Sequence, residues 1–277
     1  MKKLIIVYLT LLCAGCVTVP KDAPVNPKEG SDFFPNMRGC FLLYNLKTGI
    51  YDKAIGDTNC LERTSASSTF KIPLSVMAFD NGTLAVEDQV IKWDGKKDSR
   101  PEANKDQTPR TWMQNSIVWV SQKLTPKIGK DRIQKYLQDF KYGNAELTPN
   151  ITNAWLASPS NQKVGLKISS YEQAEFMKRL WKSELPVNER AMQLTRDITY
   201  LETSPKNFRL NGKTGSNYYD KERKIRLGWF VGHIDNGEQE YVVVTSFSDS
   251  GPTSEKLQGG AKAKEITKKI LAANNLW

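Results

Sequence analysis

Residues 225–247 read IRLGWFVGHIDNGEQEYVVVTSF. Two apolar, β-branched runs, Ile225 to Ile234 and Tyr241 to Phe247, flank the turn Asp235-Asn236-Gly237, and this pattern predicts a β-hairpin. Strand character begins near Phe208, and the chain ends in a helix with Ile266, Ile270 and Leu271 on one face. At the other end, Gly39 to Tyr44 (GCFLLY), the turn Asn45 to Gly49 and the run from Ile50 predict two more strands. The middle is helical. Ser67 and Ser68 open a helix through Ile72, Leu74, Ser75 and Met77, with Pro73 in the tolerated first turns. Residues Asp131 to Phe140 put Ile133, Tyr136, Leu137 and Phe140 on one face. Ser170 and Gln173 form a capping box ahead of Phe176, Met177, Leu180 and Trp181. Strands at both ends with helices between them predict an α+β fold. Its antiparallel β-sheet, drawn from 38–65 and 205–277, is flanked by terminal helices, with an all-helical lobe, 66–204, inserted in a single domain 38–277.

The 277 residues, 39% hydrophobic and 25% charged, suffice for a substantial core. Lys2 and Lys3 precede the apolar run Leu4 to Leu12, with Ala14 and Gly15 following, so residues 1–16 read as an export signal too short to span a bilayer. Cys16 stands where a lipoprotein signal would place its lipidated cysteine, although Cys13 departs from the usual aliphatic residue; ordinary cleavage is the alternative. Residues 17–37 read as a tether, and the expected location is the periplasm, with membrane anchoring only if Cys16 is lipidated. Cys40 and Cys60 are then the remaining cysteines, in a compartment that permits a disulfide without requiring one. Loss of Lys2 and Lys3 lowers the net charge from +10 to +8. The basic residues are scattered, which argues against a nucleic-acid partner. Oligomeric state is not legible.

The single histidine, His233, lies in a predicted strand with no carboxylate or nucleophile at a suggestive spacing. A Ser-His-Asp triad and a metal site are therefore disfavoured, and no metal is expected. A serine nucleophile needs another base. Ser68-Thr69-Phe70-Lys71 supplies one, because residues three apart share a helix face. The helix N-terminus would stabilise a developing oxyanion, and apolar Phe70, Ile72 and Leu74 would favour neutral lysine. The spacing alone is weak, since Ser160-Asn161-Gln162-Lys163 repeats it in a polar loop. Ser116-Ile117-Val118 and then Lys213-Thr214-Gly215 follow in order. Gly215 would let a substrate approach the strand closely, while Lys213 and Thr214 offer a cation and a hydroxyl to a carboxylate. Lys47-Thr48-Gly49 repeats that motif in a hairpin turn.

Together with Tyr142-Gly143-Asn144 and Trp155, these motifs resemble the class D β-lactamases, or oxacillinases, over about residues 38 to 275. The resemblance implies hydrolysis of the β-lactam ring of penicillin-type antibiotics through a Ser68 acyl-enzyme. It implies no cofactor beyond a carbamate that carbon dioxide forms on Lys71 (N6-carboxylysine), the general base of acylation and deacylation, hydrogen-bonded by the Trp155 indole. Ser116 would relay a proton to the leaving nitrogen and Val118 would shield the carbamate. The backbone N–H groups of Ser68 and Ser216 would form the oxyanion hole, with Lys213, Thr214 and Gly215 binding substrate. Tyr142-Gly143-Asn144 reads as structural. One departure is that no arginine follows Arg226, where many class D enzymes bind the substrate carboxylate, so a residue within Ser250 to Gly260 is a candidate replacement. The alternatives are a penicillin-binding peptidase or transpeptidase and a non-hydrolysing β-lactam sensor domain.

Overall fold

The computed structural model describes residues 31–56, 58–156, 165–254 and 258–277. The export signal, Cys16 and the Ser160–Lys163 repeat lie outside them. Strands β1 (Met37–Asn45), β2 (Tyr51–Ile55), β5 (Tyr200–Thr203), β6 (Arg209–Asp220), β7 (Ile225–Asp235) and β8 (Glu240–Asp249) form an antiparallel sheet in the order β2-β1-β8-β7-β6-β5. The first long strand thus pairs with the last, Met37 opposite Asp249 and Asn45 opposite Tyr241.

Alternation along these strands feeds two cores, because successive side chains leave a strand on opposite faces. Leu42, Trp229, Val231, Val242 and Val244 face the helical lobe. Phe41, Leu43, Phe230, Ile234, Val243 and Phe247 face the C-terminal helix α7 (Gly259–Ala273) through Ile266, Ile270 and Leu271. Both faces are covered, which explains why the central strands read as unbroken apolar runs. Even the hydroxyls obey the alternation: Thr245 bonds Thr267 of α7 at 2.6 Å, and Ser246 bonds Ser170 of the lobe at 2.8 Å.

The lobe comprises α1 (Lys71–Asp80), α2 (Pro109–Gln114), α3 (Val118–Ile128), α4 (Lys130–Asp139), α5 (Ser170–Trp181) and α6 (Glu189–Ile198). It is not purely helical. The short strands β3 (Thr64–Ser65) and β4 (Lys167–Ile168) pair antiparallel within it, and the sheet resumes at Tyr200, ahead of the expected 205. The α5 cap also sits one residue earlier than expected, at Ser169 with Glu172. Glu172 can reach back to the Ser169 N–H while pairing with Arg63, and Ser170 and Gln173 are drawn instead to Ser246 and Thr69. At the N-terminal edge the expected tether is shorter than drawn, since Phe34 is buried against α7's core and the Asn36 carbonyl accepts from Ser250 N–H.

Cys40 and Cys60 are joined in a disulfide that ties β1 to the 3-10 turn Thr58–Cys60, resolving the choice left open by the sequence. Close packing of α7 on the sheet depends on Gly228, where a Cβ would stand 2.3 Å from the Phe247 ring and 2.4 Å from the Gly259 carbonyl. The Gly259 carbonyl cannot yield without moving α7, and the Phe247 ring is buried in the core beside it. Gly228→Ala is therefore expected to lower the thermal midpoint by about 3–10 °C, read by circular dichroism; an unchanged midpoint would contradict this packing account.

Candidate active site

The turn that carries Ser68 is built before the helix begins. Ser67 takes the left-handed conformation (φ +52°), which L residues adopt at a cost, and residues Ser67–Phe70 then form a 3-10 turn leading into α1. Ser67 and Ser68 were expected to open the α-helix itself; the tighter turn makes residues i and i+3 eclipse, so Lys71 stands over Ser68 more directly than α-helical spacing would give. Distant elements clamp the turn. Trp229 Nε1 donates to the Ser65 carbonyl (3.0 Å), Ser65 Oγ donates to the Trp155 carbonyl (2.7 Å), and Asn217 Nδ2 donates to Ser65 Oγ (3.2 Å) and the Leu156 carbonyl (2.8 Å). Gln173 Nε2 donates to Thr69 Oγ1 at 2.8 Å. The buried side chains of Ser65 and Thr69 at the turn's base are thereby paired, as burial demands.

Lys71 is 1% exposed, and its Nζ donates to Ser68 Oγ at 3.4 Å. Burial, then the charges of Lys213 and Arg100, hold its pKa well below the ordinary lysine range. A lysine so placed favours the neutral amine, which can accept a proton. Trp155 is buried in the 3-10 turn Ala154–Leu156, and its ring stacks on Phe70 at 5.5 Å.

β6 runs against this turn. Lys213 is 3% exposed, its Nζ donates to the Thr214 carbonyl (3.0 Å) and hydroxyl (3.2 Å), and burial followed by the Arg100 charge pushes its pKa down to about 7. A Cβ on Gly215 would lie 3.2 Å from Ser67 Cβ, Thr69 Cγ2 and Trp229 Cβ, so the space left by its missing side chain is taken up by the Ser68 turn. Its role is therefore partly to let strand and turn approach. Ser216 Oγ accepts from the Gly260 N–H at the start of α7 (2.8 Å).

Ser116 lies half-buried between α2 and α3, also in the left-handed conformation (φ +55°), and Val118 lines a shallow cavity of about 480 Å³ with Asp94, Lys97, Asp98 and Trp119. Arg100 links this segment to the lysines: its Nη1 donates to the carbonyl of Asn115 at 3.4 Å, and its charge is felt at both Lys71 and Lys213. The sequence reading missed Arg100. It also missed Ser65, Gln173, Asn217 and Trp229, none of which carries a local signal beyond the closeness of Asn217 to the Lys213 motif.

Other motifs stand apart. Tyr142 is buried, Gly143 is left-handed with a backbone carbonyl where a Cβ would go, and Asn144 pairs with Gly165 and Lys167, so this motif fastens β4. Lys47 and Thr48 N–H groups are capped by Asn45 Oδ1 in the β1–β2 turn. His233 stacks on Trp181 at 4.4 Å and bonds Glu240 at 2.9 Å; the carboxylate partner not expected from sequence spacing stands diagonally across the hairpin, where His233 pairs with Val242 and Glu240 with Asp235.

Residues 39–272 match the family model of the penicillin-binding protein transpeptidase domain. The chain is 36% identical to β-lactamase OXA-1 of Escherichia coli, over 89% of this chain and 88% of that protein. Among solved structures it is similar to the class D β-lactamase BAT-2 (TM-score 0.77, 29% identity, 89% of this chain and 95% of that one). It is similar also to the C-terminal domain of the Bacillus licheniformis BlaR penicillin-receptor (TM-score 0.82, 26% identity, 94% and 100%). With a serine and a buried lysine three residues apart at the heart of this fold, the chain belongs to the class D serine β-lactamases, which hydrolyse β-lactams.

Proposed function

We propose that Ser68 Oγ is the group acylated by the β-lactam carbonyl and that Lys71, as its carbamate, is the base. The observation that carries this reading is the buried Lys71 Nζ at 3.4 Å from Ser68 Oγ, with its protonated form disfavoured. A neutral amine is the form that adds carbon dioxide, so Lys71 suits that modification. When present, the carbamate supplies an anionic base in place of an amine. In this reading Trp155, packed on Phe70, donates its indole N–H to that group, and Val118 keeps water from it.

In this reading the Ser68 proton leaves toward Lys71 as Oγ attacks the carbonyl, and the backbone N–H groups of Ser68 and Ser216 receive the oxyanion. Ser116 passes a proton to the departing ring nitrogen. Lys213, Thr214 and the Gly215 backbone hold the substrate. In deacylation the same base takes a proton from water as its oxygen attacks the acyl carbonyl, and Ser68 Oγ recovers a proton as the ester bond breaks.

Hydrolysis of a chromogenic cephalosporin tests the base assignment. Turnover is expected to fall by about tenfold or more after carbon dioxide is stripped at low pH and to return with bicarbonate; indifference to bicarbonate would overturn the carbamate. The likeness to a penicillin-receptor domain gives the same assay a second use, because a stable adduct without turnover would point to sensing or peptidase chemistry instead. Export fits the domain as well. Residues 1–16 are the proposed signal and the periplasm the proposed location, since the Cys40–Cys60 disulfide suits an oxidising compartment. Cys16 is where a lipid anchor would attach, and simple cleavage would release the same domain unanchored.

A further inference from the structure

We propose that Arg100, projecting from the helical lobe, binds the carboxylate carried by the ring fused to the β-lactam. The proposal deepens the reading of Ser68 as the acylated group and rests on it. Arg100 precedes the 3-10 turn Pro101–Ala103 in an extended conformation. Its backbone N–H donates to Asp98 Oδ1 (2.9 Å), its Nε reaches the same oxygen at 3.4 Å, and its Nη1 reaches the Asn115 carbonyl at 3.4 Å. Asn104 braces the loop by accepting from the Asp98 N–H (2.7 Å) and donating to the Asp98 carbonyl (2.9 Å). The guanidinium is therefore aimed, with one edge on the residue before Ser116.

Its charge is not spent locally. The contact with Asp98 is long, uses one carboxylate oxygen, and joins side chains about a third exposed, 36% and 34%. Among the described residues no hydrogen bond occupies Nη2. Its Nη1 contact holds the guanidinium beside Asn115, one residue from Ser116, and its charge opposes protonation of both Lys71 and Lys213. Lys71 and Lys213 are buried, whereas Arg100 presents a planar guanidinium fork. A planar carboxylate is what its free edge fits. An anion bound there would also favour a protonated Lys213, adding a second contact.

From sequence, the C-terminal part of the chain beyond Arg226 offers no free guanidinium. No arginine follows Arg226 in the chain, and Arg226 is buried on Asp249, with Nε at 2.8 Å and Nη2 at 2.9 Å from its two oxygens. The guanidinium missing after Arg226 is thus sought in the lobe, beside any contact from Ser250 to Gly260.

The test is a cycle between protein and substrate. Acylation of wild type, Arg100→Ala and Arg100→Lys is followed by competition with a fluorescent penicillin, using benzylpenicillin and its methyl ester. For the free acid, Arg100→Ala is expected to lower the acylation efficiency about tenfold, through weaker binding rather than a slower limiting rate, with Arg100→Lys intermediate and the loss shrinking in high salt. For the ester, wild type and Arg100→Ala should agree within about twofold. Equal losses on acid and ester would overturn the proposal, as would a loss confined to a penicillin bearing a second carboxylate on its side chain. Because acylation is the readout, failure of turnover would count against hydrolysis while leaving Arg100 tested. A wild-type chain that is never acylated would remove both.

Discussion

Ser68→Ala is expected to abolish covalent capture of penicillins altogether while leaving a folded protein. The side chain is half-buried and its hydroxyl contacts Lys71 alone among the described residues, so its loss opens no cavity and strands no backbone group. The clamps on the turn come from Ser65, Thr69 and Trp229 and remain intact. The thermal midpoint should therefore move little, within the range of a surface substitution. Turnover of a chromogenic cephalosporin should fall by about 10⁴-fold or more, and intact mass after incubation with a fluorescent penicillin should show no adduct. A surviving adduct would mean that another nucleophile acts.

Lys71→Met should separate catalysis from stability. Removing the base is expected to slow acylation and to stall deacylation further, by about a hundredfold or more, so that on long incubation an acyl adduct accumulates on Ser68 and persists on the mass spectrum. At the same time the variant should be more stable at neutral pH. The unfolded chain keeps a proton on Lys71 up to the ordinary lysine value of about 10.4, whereas the native chain gives it up at a pH well below that. Within that window the unfolded state binds one more proton, so the wild-type stability rises with pH while the Lys71→Met variant has no such dependence. The advantage of the variant should be largest at the acid side of the window, about 2–8 °C in midpoint, and vanish near pH 10. Thermal melts across pH in carbon dioxide-free buffer measure it. A gap that widened with pH would refute the buried neutral amine.

Periodicity made much of the fold legible. The β7–β8 hairpin, the amphipathic α4 and the terminal helix follow from local alternation and helical spacing, which the neighbouring layers reinforce. Local signals failed where two candidates competed over one or two residues. Ser169 and Ser170 are chemically alike, and only Arg63, Ser246 and Thr69, all remote in sequence, decide which one caps α5. The Ser68 and Lys71 pair could be found from its spacing and its company, but not its 3-10 geometry, which depends on Ser67 being held left-handed by β3, β6 and β7. Arg100 was invisible for a related reason. It belongs to no motif, and its loop meets the lysines only after the chain has folded.

The pairing of β1 with β8 has a bearing on how the molecule is made. Met37 meets its partner only at Asp249, more than two hundred residues along, so synthesis must be nearly finished before the central sheet can close. Such long-range pairing slows folding and leaves the helical segments waiting on a platform that does not yet exist. A fragment ending before β8 would lack both the middle of the sheet and the seat of α7. The strand that completes the architecture is therefore also a checkpoint: truncation late in the chain should yield aggregation-prone material, with no partially competent enzyme along the way.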